Sequence, residues 1–208
     1  MTRVCLVGAE DVHLQYELLS RETARDALAA YDLREPYENT LAVETVSLGA
    51  AVALLNDLNW YLVRFVDDSF VLEPSVSETE WLSRDLATSI RNNEVDPGET
   101  DRFLRVYGVE YRDEPPVSPE EKASQSNPPE DAAIGDESKG GQSTTITESD
   151  TDTETDRRRL GHDEDAVEPP RLVEPMLVTR TDDRIPEYDL RDVDDTLVVR
   201  VTKSEFGA

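Results

Sequence analysis

Lysine is nearly missing from this chain. Only Lys122, Lys139 and Lys203 occur, so arginine supplies most of the 21 basic side chains that stand against 47 carboxylates. The formal charge of -26 argues against a broad nucleic-acid face, which needs clustered positive charge to meet phosphates. Such a charge repels itself in dilute buffer. At molar salt the Debye length falls to roughly 3 Å and the repulsion is screened. Acid-rich and lysine-poor composition is therefore expected of a protein from a salt-loaded cytoplasm, with the acidic surface solvated in brine.

Cysteine is almost as scarce. Cys5 is the only one, which rules out an internal disulfide, and its apolar surroundings place it in the core. Two histidines, His13 and His162, stand alone, so a zinc site of nitrogen and sulfur ligands lacks its donors. No G-x-S-x-G elbow presents a nucleophile to either of them. The longest apolar run, "LGAAVALL" at 48–55, falls far short of the roughly 20 residues that span a bilayer. With no charged n-region and apolar h-region at its start, the sequence is expected to be soluble and cytoplasmic, without membrane contact.

What is present divides into three parts. Residues 1–112 alternate strand and helix patterns, 113–170 read as a disordered acidic linker, and 171–208 hold two more strands. The middle part has almost no aromatic or large aliphatic residues and cannot offset the entropy of ordering. Before it, "RVCLV" (3–7), "VHLQYEL" (12–18), "TLAVETV" (40–46), "WYLVRFV" (60–66) and "DDSFVLE" (67–73) read as strands. Ser20 and Ser47 cap two helices. "SETE" at 77–80 reads as a capping box before a third, and "DPGE" at 96–99 starts a fourth that carries Phe103, Leu104 and Tyr107. "PMLVTR" (175–180) and "TLVVRVT" (196–202) read as strands too. Two strands alone are marginal, so they are expected to dock on the N-terminal sheet. The predicted fold is α+β, a mixed sheet with helices packed on it and a long insertion. A tail that binds a partner by strand addition is the alternative.

"VCLVGAED" at 4–11 has the look of a nucleotide-binding start, but Gly8 is followed by Glu10 and Asp11 and not by further glycines. A dinucleotide turn needs G-x-G-x-x-G so that backbone amides reach a pyrophosphate. "DTDTETDRRRLG" at 150–161 imitates a calcium loop, then puts Thr155 where glycine is required and Gly161 where a bidentate glutamate is required. No metal and no cofactor is implied.

The arginines carry the remaining interest. Arg64 interrupts the most apolar predicted strand and must be paired, or face a cleft or solvent. Asp67 and Asp68 follow within reach. Arg180 and Arg200 fall near the ends of the C-terminal strands, where they either pair with the sheet's carboxylates or present a small anion site.

"MTRVCLVGAEDVHLQYELLSRETARDALAAYDLREPYENTL" and "LVTRTDDRIPEYDLRDVDDTLVVRVT" resemble an uncharacterised protein family of halophilic archaea, a domain of unknown function. The resemblance implies a salt-adapted cytoplasmic protein and brings no catalytic motif. The expected role is a non-enzymatic module that binds a protein partner or a small regulatory ligand. The competing reading is a small enzyme or ligand-sensing domain built on Arg64 with Asp67 and Asp68. Arg64 meeting carboxylates in a concave pocket would favour the second reading, and Arg64 on a flat surface the first.

Overall fold

A computed structural model describes residues 1–111, 168–181 and 184–207. The predicted acidic linker lies outside the described residues up to position 167.

The strands are β1 (Thr2–Gly8), β2 (Thr40–Thr45), β3 (Val66–Leu72), β4 (Trp81–Ser83), β5 (Phe103–Glu110), β6 (Arg171–Thr179) and β7 (Asp195–Arg200). The helices are α1 (Leu14–Leu19), α2 (Glu22–Leu28), α3 (Leu48–Asp57), α4 (Asn59–Phe65), α5 (Arg84–Arg91) and α6 (Lys203–Phe206). All seven strands form one mixed sheet in the order β2-β1-β3-β4-β7-β5-β6. Only the β4–β7 pairing is parallel. The α+β architecture follows the sequence expectation, and β7 lies inside the sheet, between β4 and β5. The two C-terminal strands are not neighbours, because β5 runs between them.

Side chains alternate across the sheet and sort into three apolar clusters. Val4, Leu6, Leu41, Val43, Val71 and Leu82 leave the outer face of β1–β4 and pack under the helices with Leu14, Leu18, Leu55 and Leu86. Cys5, Phe70, Leu72, Trp81, Tyr107, Val109, Leu197 and Val199 fill the opposite, inner face. Leu104, Val106 and Val178 leave the outer face of β5–β7, where Ile185 and Tyr188 cover them. Gly108 permits that cover, since a Cβ there would stand 2.6 Å from Val193 and 2.8 Å from Val173.

Five local readings are overturned. Residues 12–18 are not a strand, because Leu14–Leu19 form α1. Positions 14 and 18 suit either period, and position 16 decides. Leu14 and Leu18 are fully buried, whereas Tyr16 is 68% exposed. The start of this helix is capped from far along the chain, where the Asn39 side-chain oxygen accepts the Leu14 N–H at 3.0 Å. Residues 60–66 are α4 for most of their length. Leu58 ends α3 and starts α4 in helical backbone, and Leu58 and Leu62 bury together one turn apart, which overrides the aromatic and β-branched composition.

The capping box at 77–80 is only half used. Ser77 Oγ accepts the Glu80 N–H at 3.0 Å, but the chain then enters β4 and the helix begins under a different cap, Ser83 Oγ to Leu86 N–H. Ser20 likewise closes α1, and Arg21 precedes α2. After Pro97 only a single 3-10 turn forms, and Phe103–Glu110 is strand. Its period of two sends Phe103 and Tyr107 inward and Leu104 and Val106 outward.

Candidate functional site

The sheet is rolled. Asp68 on β3 and Tyr107 on β5 are three strands apart, a span of about 14 Å in a flat sheet at ~4.8 Å per strand. Yet the Tyr107 hydroxyl donates to Asp68 Oδ2 at 2.7 Å, and the Phe70 and Tyr107 ring centroids are 5.4 Å apart. Strand twist accumulated over seven strands brings the two ends of the sheet toward each other, as in a barrel that does not close. At one point the gap is bridged, where the Glu38 N–H donates to the Pro170 carbonyl at 2.8 Å.

Beside that bridge the seam opens into a cleft of about 930 Å³. One wall is Val7, Gly8 and Asn39, and the other is the edge of β6 from Arg171 to Pro175. The floor is a cluster of three side chains. Asp68 Oδ2 accepts from both Arg105 Nη1 and the Tyr107 hydroxyl, and its Oδ1 accepts the Ser69 N–H at 2.9 Å. The Asp68 and Arg105 side chains are largely buried.

Tyr107 and Arg105 hold their protons firmly. Burial pushes the Tyr107 phenol up, and the neighbouring Asp68 carboxylate pushes it further. Burial opposes the charge on Arg105, but Asp68 and Tyr107 outweigh it and raise the guanidinium above its usual value. A guanidinium and a phenol that both resist losing their protons therefore face the cleft, each bonded to Asp68.

The Gly8 turn does lead into a helix, contrary to the alternation of 12–18. It is nevertheless filled from within. Asn39 caps Leu14 and donates to the Ala9 carbonyl at 3.1 Å, and a Cβ on Gly8 would stand 2.6 Å from the Asn39 amide nitrogen. Asn39 reaches this position through a left-handed backbone, φ 54°. The place where a phosphate oxygen would sit holds a side-chain amide.

The residues singled out from sequence separate into three places. Arg64 lies exposed on α4, its guanidinium 5.0 Å from the Trp60 ring. It does not join Asp67 and Asp68, which line the cleft. Arg180 and Arg200 converge on the Glu80 carboxylate, Arg200 Nε at 2.6 Å, and Arg200 also donates to Thr100. They meet there although their strands are not adjacent. Arg105, Tyr107 and Asn39 were missed. The alternation Phe103, Arg105, Tyr107, Val109 was the available signal for the first two. Among the described residues no group of His, Cys, Asp or Glu is placed to hold a metal ion. No described helix is long and apolar enough to cross a membrane.

A model for a protein family of unknown function, DUF5804, matches residues 2–109. The chain belongs to that family. The matched span runs from β1 through nearly all of β5, so this DUF5804 region contains Asp68, Arg105, Tyr107 and the Gly8 wall. It ends before β6, which supplies the other wall. No curated protein and no solved structure matches the chain.

Proposed function

We propose that this chain is a binding module, with a protein partner or a small regulatory ligand seated in the open seam of its rolled sheet. One observation carries the reading, the concave cleft floored by Asp68, Arg105 and Tyr107. Arg105 and Tyr107 hold their protons and are both bonded to Asp68, which suits recognition of a polar ligand. The enzyme reading built on Arg64 loses its support, since that guanidinium stacks on Trp60 away from Asp68. The charge of -26 supports a salt-rich cytoplasm as the working environment.

Amide chemical-shift mapping of the full chain in molar KCl tests the cleft, with acetate, phosphate and N-acetyl-arginine amide as probes. At least one probe is expected to give saturable shifts at Gly8, Arg105, Tyr107 and Leu172, weakened in Tyr107→Phe. Shifts that never saturate, or that scatter over the surface, contradict the reading.

A further inference from the structure

The two ends of the sheet are finished differently. The outer edge of β2 is occupied, because Arg34 bridges Ala42 with reciprocal backbone bonds of 3.0 and 2.7 Å. β6 ends the sheet at the other side with nine residues, paired to β5 along its length. An antiparallel strand gives only half of its N–H and C=O groups to one neighbour. Among the described residues, no backbone-to-backbone bond reaches the free edge of β6 from Arg171 to Thr179; the bond to Pro170 lies just before it, and the Glu174 carbonyl, left out of the β5 register, accepts from the Tyr188 hydroxyl at 2.7 Å. Five consecutive β6 residues line the cleft, so the strand presents its edge there and not one face. Pro175 within β6 is the residue an edge strand tolerates.

We infer that the occupant of the cleft is an extended, basic peptide from another protein, which pairs with β6 as an added strand and fills the seam. The inference rests on the binding role proposed above and names its partner. The charges of the lining select the sign. Arg105 is held by Asp68, and Arg191 by Glu110 and Glu174. Glu10 and Asp67 make no ion pair among the described residues, and neither does Arg171 on β6, so the sign rests on the whole lining, five carboxylates (Glu10, Glu38, Asp67, Asp68, Glu174) against three guanidiniums (Arg105, Arg171, Arg191). A Lys or Arg on the incoming strand meets Glu10 and Asp67. A second copy of the chain, with 47 carboxylates against 21 basic side chains, offers mostly the wrong sign at contact range. Strand addition draws affinity from main-chain bonds and selectivity from every second side chain, and β6 beside a charged cleft offers both.

The test pans the full chain in molar KCl against a displayed library of random short peptides. Enriched peptides are expected to carry Lys or Arg at alternate positions and to slow amide exchange in β6. N-methylation of one bonding backbone nitrogen is expected to weaken the best peptide about tenfold, the worth of one hydrogen bond of ~1.4 kcal/mol. Asp67→Asn is expected to weaken it up to about fivefold, as for a solvent-exposed ion pair. If peptides move cleft resonances but tolerate N-methylation and leave β6 exchange unchanged, strand addition is overturned while the cleft stands as a binding site. If selected peptides map to Trp60 on α4, or if nothing is enriched and the small probes also fail, both readings fall. Protection of β6 that rises with protein concentration alone makes a second copy the occupant and overturns the proposal.

Discussion

The outer faces of the two halves of the sheet are covered by different materials. Over β1–β4 lie five helices, whose Leu14, Leu18, Leu55, Leu58 and Leu86 are at most 3% exposed. Over β5–β7 only Leu104, Val106 and Val178 are buried in the outer cluster, beneath Ile185 and Tyr188. The first half is built for stability, since most buried apolar area lies there. The second is thin and ends in an edge strand, and the cleft opens between the two. Binding regions are commonly drawn from the less stable part of a fold, and the seam follows that rule.

β7 holds the halves together. It pairs with β4 on one side and β5 on the other. Beyond it, Glu205 accepts from Ser83, the residue that caps α5, and Arg200 reaches Glu80. Ending the chain before Asp195 is therefore expected to abolish cooperative melting at high salt. A truncated chain that still melts in one transition at nearly the original temperature would mean that the halves do not depend on β7.

Single substitutions then separate the two covers. Leu55→Ala, in the helix-covered half, is expected to cost about 2–5 kcal/mol by denaturant titration. Ile185→Ala, on the thin cover, is expected to cost less than half as much, because its site is already partly open to solvent. Equal costs would remove the distinction between the halves. Gly108→Ala forces a methyl against Val193 and Val173 and is expected to destabilise by about 1–3 kcal/mol. A neutral outcome would show that residues 184–194 do not press on β5.

The inner face gives an effect confined to high pH. Burial pushes the Cys5 thiol from 9.0 up to about 12, with the Thr40 hydrogen bond and Arg3 pulling the other way. The folded value lies above the unfolded one. Its contribution to stability is therefore full below pH 9.0 and is lost as pH rises from there toward about 12. Cys5→Ala is expected to flatten that part of the stability profile, and native Cys5 is expected to resist alkylation at pH 8 until the protein unfolds. Rapid native labelling would place Cys5 outside the core.

Much of this frame was legible in the sequence. β1, β2, β3, β6 and β7 show runs of apolar or alternating residues, and Ser47 marks the start of α3. Two of the failures share a physical cause, a residue outside the run deciding between two local periods. Asn39 caps α1 from 25 positions away. α4 inherits its helix from α3 through Leu58. The floor of the cleft was illegible for a similar reason. Arg105 and Tyr107 reach Asp68 only because the sheet rolls, and no window along the chain contains a curvature summed over seven strands.

Amide hydrogen exchange on the full chain, free and with the best selected peptide, tests the central claim most directly. β7, buried between two strands, is expected to exchange only with global unfolding. The edge amides of β6 are expected to exchange fast in the free chain and to be protected at least tenfold when the peptide is bound. Edge amides of β6 as slow as those of β7 in the free chain, or peptide protection confined to α4, would contradict the account of an open seam that takes a strand.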